Sequence, residues 1–187
     1  MPKNNTQTPI KEKRNFTRFI GIDPGTNKTG ICICKTGETP HISVIQAEFP
    51  KASIDMRITS ITHQVLDLIK GAPTALVVIE NPFGIMGNGR QLLELVGILK
   101  YTLTEMGHRV YTVPQTTIKK FATNSGRAEK SDMVLKAFKE FQIDGAGEDG
   151  VDAFWMCKFG EALKVASGVS YRDEVASAYC KKHGINL

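Results

Sequence analysis

The sequence predicts an α/β fold, a mixed five-stranded sheet flanked by helices. Two observations lead there. Three short strand-like segments joined by tight turns open the chain. Two further short apolar runs follow, each introduced by a segment with helical spacing. The order of three antiparallel strands, a helix, then strand, helix, strand and helices is that of a mixed sheet with helices on its faces. The chain has 187 residues, 41% of them hydrophobic, enough for one compact domain with a full core.

Residues 1–15 are polar, basic and contain Pro2 and Pro9, the composition of a flexible arm. Phe16 to Asp23 reads as a first strand, Pro24-Gly25-Thr26-Asn27 as a turn, Thr29 to Lys35 as a second strand and His41 to Phe49 as a third. Residues 52–70 place Ile54, Ile58, Ile61, Val65, Leu68 and Ile69 at helical spacing, and Gly71-Ala72-Pro73 ends that helix. Ala75 to Glu80 is almost continuously apolar and reads as a central strand covered on both faces. A loop containing Gly84, Gly87 and Gly89 follows; it lacks a P-loop lysine or a dinucleotide fingerprint, so it reads as flexible.

Arg90 to Met106 is a helix whose apolar residues run almost all the way round, which predicts burial on more than one side, either by the sheet and a second subunit or wholly inside one monomer. His108 to Val113 is the fifth strand. A short helix through Ile118 and Phe121, a helix over Ala128 to Phe141, another over Asp149 to Val165 and a last one near Arg172 to Lys182 complete the chain. The expected organisation is an arm at 1–15, a domain at 16–166 and a helical tail at 167–187. Strands four and five, entered by crossovers, run parallel to the first, which brings Asp23 close to Glu80.

Net charge is +5 and the sequence pI is about 9.0. Basic residues gather in the arm and in a second stretch holding Lys119, Lys120, Arg127, Lys130, Lys136 and Lys139. Each stretch also reads as a solvated surface; beside an acidic metal cluster they favour a polyanionic substrate. Cys32, Cys34, Cys157 and Cys180 form no CxxC pair, and the four histidines show no ligand spacing, so core thiols in a reducing compartment are expected. No apolar run is long enough for a bilayer span and the N-terminus lacks a secretory signal. The expected location is the cytoplasm, or the host cytoplasm for a phage protein, with an organelle as a further option.

Four carboxylates at the ends of apolar segments carry the chemistry: Asp23, Glu80, Asp149 and Asp152. An acid at the end of a buried strand is costly unless its charge is compensated. Acids converging from separate segments repel unless a cation sits among them. Asp149 and Asp152, three apart at a helix start, share one face and also suit a capping role. Asp23 before Pro24 also suits a turn. Glu80 is the hardest to explain structurally. Four oxygen donors suit Mg²⁺ or Mn²⁺, and two such ions about 4 Å apart activate water and stabilise a leaving 3′ oxygen.

GIDPGTNKTG, IENPF, SGRAEKSDMV and EDGVDAF occur in that order between about Phe19 and Phe159. These motifs resemble the RuvC family of Holliday-junction resolvases. The resemblance implies an RNase H-like fold and Mg²⁺-dependent endodeoxyribonuclease activity in DNA recombination and repair. It implies a homodimer, no membrane, and paired symmetric nicks in a four-way DNA junction. By the same resemblance the catalytic acids and metal ligands fall on Asp23, Glu80, Asp149 and Asp152, with two ions per site. The catalytic or DNA-contacting lysines fall on Lys119 and Lys130, and Lys120 and Arg127 join them as DNA-binding candidates. The aromatic residue near the junction centre falls on Phe83, which also reads as a core residue over the strand end. The helix at Arg90–Met106 supplies much of the dimer interface. The basic arm and the tail beyond about Ala166 depart from the family pattern. Two other readings remain: an RNase H-like nuclease acting on flaps, forks or RNA–DNA hybrids, and a non-catalytic junction-binding protein.

Overall fold

Alternation along the strands sorts their side chains into two cores. The computed structural model describes residues 16–82, 89–165 and 170–185. The N-terminal arm and the loop with Phe83, Gly84 and Gly87 lie outside the described residues. Strands β1 (Arg18–Asp23), β2 (Lys28–Lys35) and β3 (His41–Gln46) form an antiparallel meander. Strands β4 (Leu76–Asn81) and β5 (Arg109–Pro114) extend the sheet from β1 in parallel, giving the order β3-β2-β1-β4-β5. This is the mixed sheet expected from the sequence. The β1–β2 turn is pinned by buried Thr29, whose hydroxyl donates to the Gly25 carbonyl (2.9 Å) and accepts from the Gly25 amide (3.1 Å).

Helices α1 (Ile54–Ile69) and α2 (Gly89–Glu105) cover one face. There Ile20, Ile22, Ile31, Val77 and Ile79 meet Ile61, Val65, Leu95 and Leu99. Helix α5 (Gly147–Val165) covers the other face, flanked by α3 (Gln115–Thr123), α4 (Lys130–Phe141) and α6 (Tyr171–His183). Phe19, Cys32, Cys34, Leu76 and Val78 point to that side, into a core containing Phe121, Phe154, Trp155 and Phe159. Cys32, Cys34 and Cys157 are buried thiols of this core, and Cys157 donates to the Phe19 carbonyl at 3.3 Å.

Helix boundaries differ from expectation at the starts of α4, α5 and α2. Helix α4 starts at Lys130 rather than Ala128, because the Asp132 carboxylate accepts from the Glu129 amide (3.0 Å) and closes the first turn. Helix α5 starts at Gly147, two residues early, which places Asp149 within its first turn. Gly89 opens α2 instead of belonging to the loop. Helix α2 buries Leu95, Val96, Leu99 and Leu103 but leaves Leu93, Ile98 and Tyr101 exposed, so within the monomer it is covered on one side.

The path of α5 is set by glycines. A Cβ at Gly30 of β2 would lie 2.0 Å from the Asp149 carbonyl oxygen. One at Gly21 of β1 would lie 2.0 Å from the Ala153 oxygen and 2.4 Å from the Cys157 nitrogen. Gly150 sits against Ile42 and Val44 of β3, and Gly160 against Leu76 and Val78 of β4. The helix therefore crosses the sheet from β3 to β4 with its backbone against the bare backbone of β1 and β2. Substituting Gly30→Ala should force this contact apart and cost on the order of 2–4 kcal/mol, the upper range for overpacking a core. Urea denaturation checks this; an unchanged midpoint would show that α5 is not seated on Gly30.

Candidate active site

The alternation that buries Phe19 and Leu76 beneath α5 carries forward to the strand ends. Asp23 follows Phe19 and Gly21 on the α5 side of β1, and Glu80 follows Leu76 and Val78 on the same side of β4. Ile22 pairs with Ile79 in the parallel register, so the next residues, Asp23 and Glu80, stand side by side. Across the other edge Asp23 pairs with Gly30, on which the first turn of α5 rests. The first turns of α5 thus carry half-buried Asp149 and buried Asp152 over the strand ends.

The electrostatics record this convergence. Burial pushes the Asp23 carboxyl up to about 9, reinforced by the charges of Glu80, Asp152 and Asp149 and opposed by Lys130. Burial and the Asp152 charge push Glu80 up to about 7, although a hydrogen bond from Asp23 and the lysines Lys130 and Lys119 work against that. The two carboxyls interact strongly enough to titrate as a pair that retains a proton. Burial also raises Asp152, against the pull of Lys130.

Lys130 is the nearest cation, 3.4 Å from Asp152 Oδ2 and 3.5 Å from Glu148. Burial works against its charge, but Asp152 and Asp23 outweigh that and raise its pKa. It is the first residue of α4, where the helix dipole disfavours a positive charge. A lysine in that position is accounted for by the carboxylates it faces. Lys119 on α3 acts on the same acids, lowering Glu80 and Asp152. Lys120 and Arg127 are exposed and do not join the carboxylates; Lys120 faces a groove beside α6. Phe83 lies outside the described residues.

Glu148 joins the rim of the cluster through Lys130, a contact not read from the sequence; its place one residue before Asp149 in a helical first turn is the available signal. Asp144 instead accepts from the Gly145 amide at 2.8 Å, as a turn acid. His108 accepts from the Ala75 amide through Nδ1 (3.1 Å), and burial lowers its pKa, so it is a neutral structural residue.

Among the described residues no three His, Cys, Asp or Glu side chains stand in a ready-made ion-holding arrangement. The raised Asp23–Glu80 pair and the ammonium of Lys130 offset part of the charge instead. The donor set still fits a hard divalent cation. Asp152 Oδ2 is buried without a hydrogen bond of good geometry, Lys130 being at ion-pair distance only, and the acids offer oxygen ligands alone. Asp23, Glu80, Asp149 and Asp152 are the residues that would hold it.

These shifts fix the sign of a pH effect. Asp23 and Glu80 hold protons in the fold that the unfolded chain has already lost above about pH 4, so the metal-free fold loses stability as pH rises toward about 9. Melting temperature in EDTA should fall between about pH 6 and pH 9, and millimolar Mg²⁺ or Mn²⁺ should restore it, more at the alkaline end because binding displaces those protons. Scanning fluorimetry reads both effects; a metal-free melting temperature that climbs over this range would contradict the shifts.

No family sequence model and no curated protein sequence matches the chain. Its likeness is to solved structures. A Thermus thermophilus RuvC structure superposes with a TM-score of 0.60 at 19% identity, covering 89% of this chain and 96% of that one. T. thermophilus RuvC in complex with a Holliday junction substrate gives 0.59 at 21% identity, over 75% of this chain and 90% of that one. The fold of this chain is RuvC-like, the RNase H-like arrangement expected from the sequence motifs.

Proposed function

We infer that the chain is a divalent-metal-dependent endodeoxyribonuclease that resolves four-way DNA junctions. The observation that carries this reading is the meeting of Asp23, Glu80, Asp149 and Asp152 from three separate segments at one end of the sheet, with Lys130 and Lys119 beside them. The RuvC-like fold supports it, since one of the similar structures is a RuvC bound to a Holliday junction substrate.

When bound, Mg²⁺ or Mn²⁺ supplies Lewis acidity toward the scissile phosphate and the attacking water. Asp23 and Glu80, on rigid strand ends, would provide fixed oxygen ligands, and Asp152 would add a buried one from α5. Asp149 stands at the half-buried edge, next to the incoming backbone. Lys130, already paired with Asp152, can swing its ammonium to the phosphate and stabilise charge that develops in the transition state. Lys119 offers a second positive contact. Lys120, Arg127 and Phe83 are assigned to the DNA on their sequence positions.

The same reading takes the outer face of α2 as a dimer surface. Leu93, Gly97 and Tyr101 recur every fourth residue, and all are exposed. Gly97 has nothing within 4 Å of a Cβ position, so no contact inside the chain requires a glycine there, although glycine in a helix interior costs up to about 1 kcal/mol relative to alanine. A second α2 crossing at Gly97 accounts for both the glycine and the exposed leucine and tyrosine. Gly97→Arg should shift sedimentation from dimer to monomer without lowering the monomer's melting temperature. A dimer that survives the substitution would remove α2 from the interface.

Asp23→Asn tests the chemistry. Junction cleavage should fall on the order of 10³-fold or more, the scale for losing an electrostatic contribution to a transition state. The melting temperature in EDTA at alkaline pH should rise, because a buried repulsion has gone. Cleavage at the wild-type rate would overturn the nuclease site. A substrate panel of junction, fork, flap and RNA–DNA hybrid separates the readings. Paired symmetric nicks confined to the junction support resolution, whereas a monomer cutting single flaps or hybrids points to a different RNase H-like nuclease. Binding without any cleavage points to a junction-binding protein.

A further inference from the structure

Helix α6 is not used by the chemistry above, yet it forms one wall of a groove of about 680 Å³ against α3. Pro114 lines the groove and pairs in register with Asn81, the residue after Glu80. Neighbouring strands lie about 4.8 Å apart, so this lining residue stands roughly one strand spacing from the strand end that carries Glu80. Lys119 and Lys120 divide α3 between the two places: Lys119 acts on Glu80 and Asp152, whereas Lys120 lines the groove.

The opposite wall presents Tyr171, Tyr179, Lys182 and His183. Tyr179 is fixed by its hydroxyl, which donates to the Thr112 carbonyl at 2.7 Å. His183 is exposed and stacks on Tyr179, with ring centroids 4.3 Å apart and planes tilted by 33°. Among the described residues neither Lys120 nor Lys182 is in an ion pair, and Glu174 is the single acid on the lining.

The geometry points to the α3–α6 groove as the track for the DNA strand leaving the carboxylate site, with backbone phosphates on Lys120 and Lys182 and an unpaired base on the open face of His183. This rests on the nuclease reading, because the carboxylate site sets where the track begins. Lysines on both walls and an exposed stacked ring are the two elements of single-strand recognition, a positive channel and a stacking platform. A second copy of the chain fits poorly, since its net charge of +5 would meet unpaired lysines.

The test uses the full chain carrying Asp23→Asn to prevent cleavage, with fluorescence anisotropy on a labelled four-way junction and a single-strand-tailed duplex over a salt series. Lys182→Glu should weaken binding about tenfold near physiological salt and lower the slope of log affinity against log salt by roughly one. Ala178→Trp, at an exposed position lining the groove, should weaken binding and lower the slope as well, by filling the track without altering charge. Lys51→Glu, exposed on the loop before α1, controls for net charge. Loss in both groove variants beyond that control supports the track. Loss in one alone, or values equal to the Lys51→Glu control while the parent protein binds DNA, overturns the track and leaves the nuclease reading intact. A parent protein with no affinity for either DNA overturns both.

Discussion

The seat of α5 on the bare backbone of β1 and β2 governs the molecule. At Gly21 and Gly30 the helix backbone lies where any side chain would sit. Dispersion and hydrophobic contact around Trp155, Phe154 and Phe159 hold the helix down on that seat. The consequence is positional. Asp149 belongs to the turn resting on Gly30, and Gly30 pairs with Asp23. The distance between the strand acids and the helix acids is therefore a property of packing, not of flexible side chains. A looser seat would widen the carboxylate cluster and relax the repulsion that characterises it.

That repulsion destabilises the fold and is concentrated at one place. Desolvation and like charge act together on Asp23 and Glu80, and a proton and one ammonium neutralise part of the excess. Neither is an adequate permanent partner: the proton is lost as pH rises, and Lys130 reaches Asp152 only at 3.4 Å. Local rules are broken here in the same direction. A lysine opens a helix, acids end buried strands, and a buried carboxylate oxygen lacks a hydrogen bond. Natural folds concentrate such conflicts at working sites. Here the conflicts gather on one set of carboxylates and the lysine that faces them.

Much of this was legible from the chain. Strand-end acids announce themselves because an apolar run such as Ala75 to Ile79 leaves Glu80 no ordinary structural role, and the three-residue spacing of Asp149 and Asp152 places both on one helix face. Crossover topology then implied that Asp23 and Glu80 are neighbours. What stayed hidden depends on which surfaces meet. Glycines in strands signal close backbone approach, but nothing local to Gly21 or Gly30 names the helix that approaches. The all-round apolar pattern of α2 pointed to cover on more than one side; the outer face is exposed in the monomer, and the pattern alone does not say what covers it. The capping contact of Asp132 and the ion pair of Glu148 depend on rotamers and docking angles that periodicity does not encode.

The same hidden layer ties the tail to the site. Arg172 of α6 donates to the Phe121 and Ala122 carbonyls at the end of α3, pairs with Glu140 of α4 at 2.5 Å, and lies 4.9 Å from the Trp155 ring centroid of α5. Tyr171 adds a second hydrogen bond to the Ala122 carbonyl at 3.0 Å. One guanidinium thus references three helices to one another through groups that α3 would otherwise leave unpaired at its C-terminus. Lys119 and Lys120 ride on α3, Lys130 on α4 and the acids on α5. The placement of these lysines relative to the acids therefore depends in part on this clasp, beside the direct packing of α4 on α5. On that argument α6 is part of the machinery that positions charge, and its removal would disturb the lysines before it disturbed the sheet.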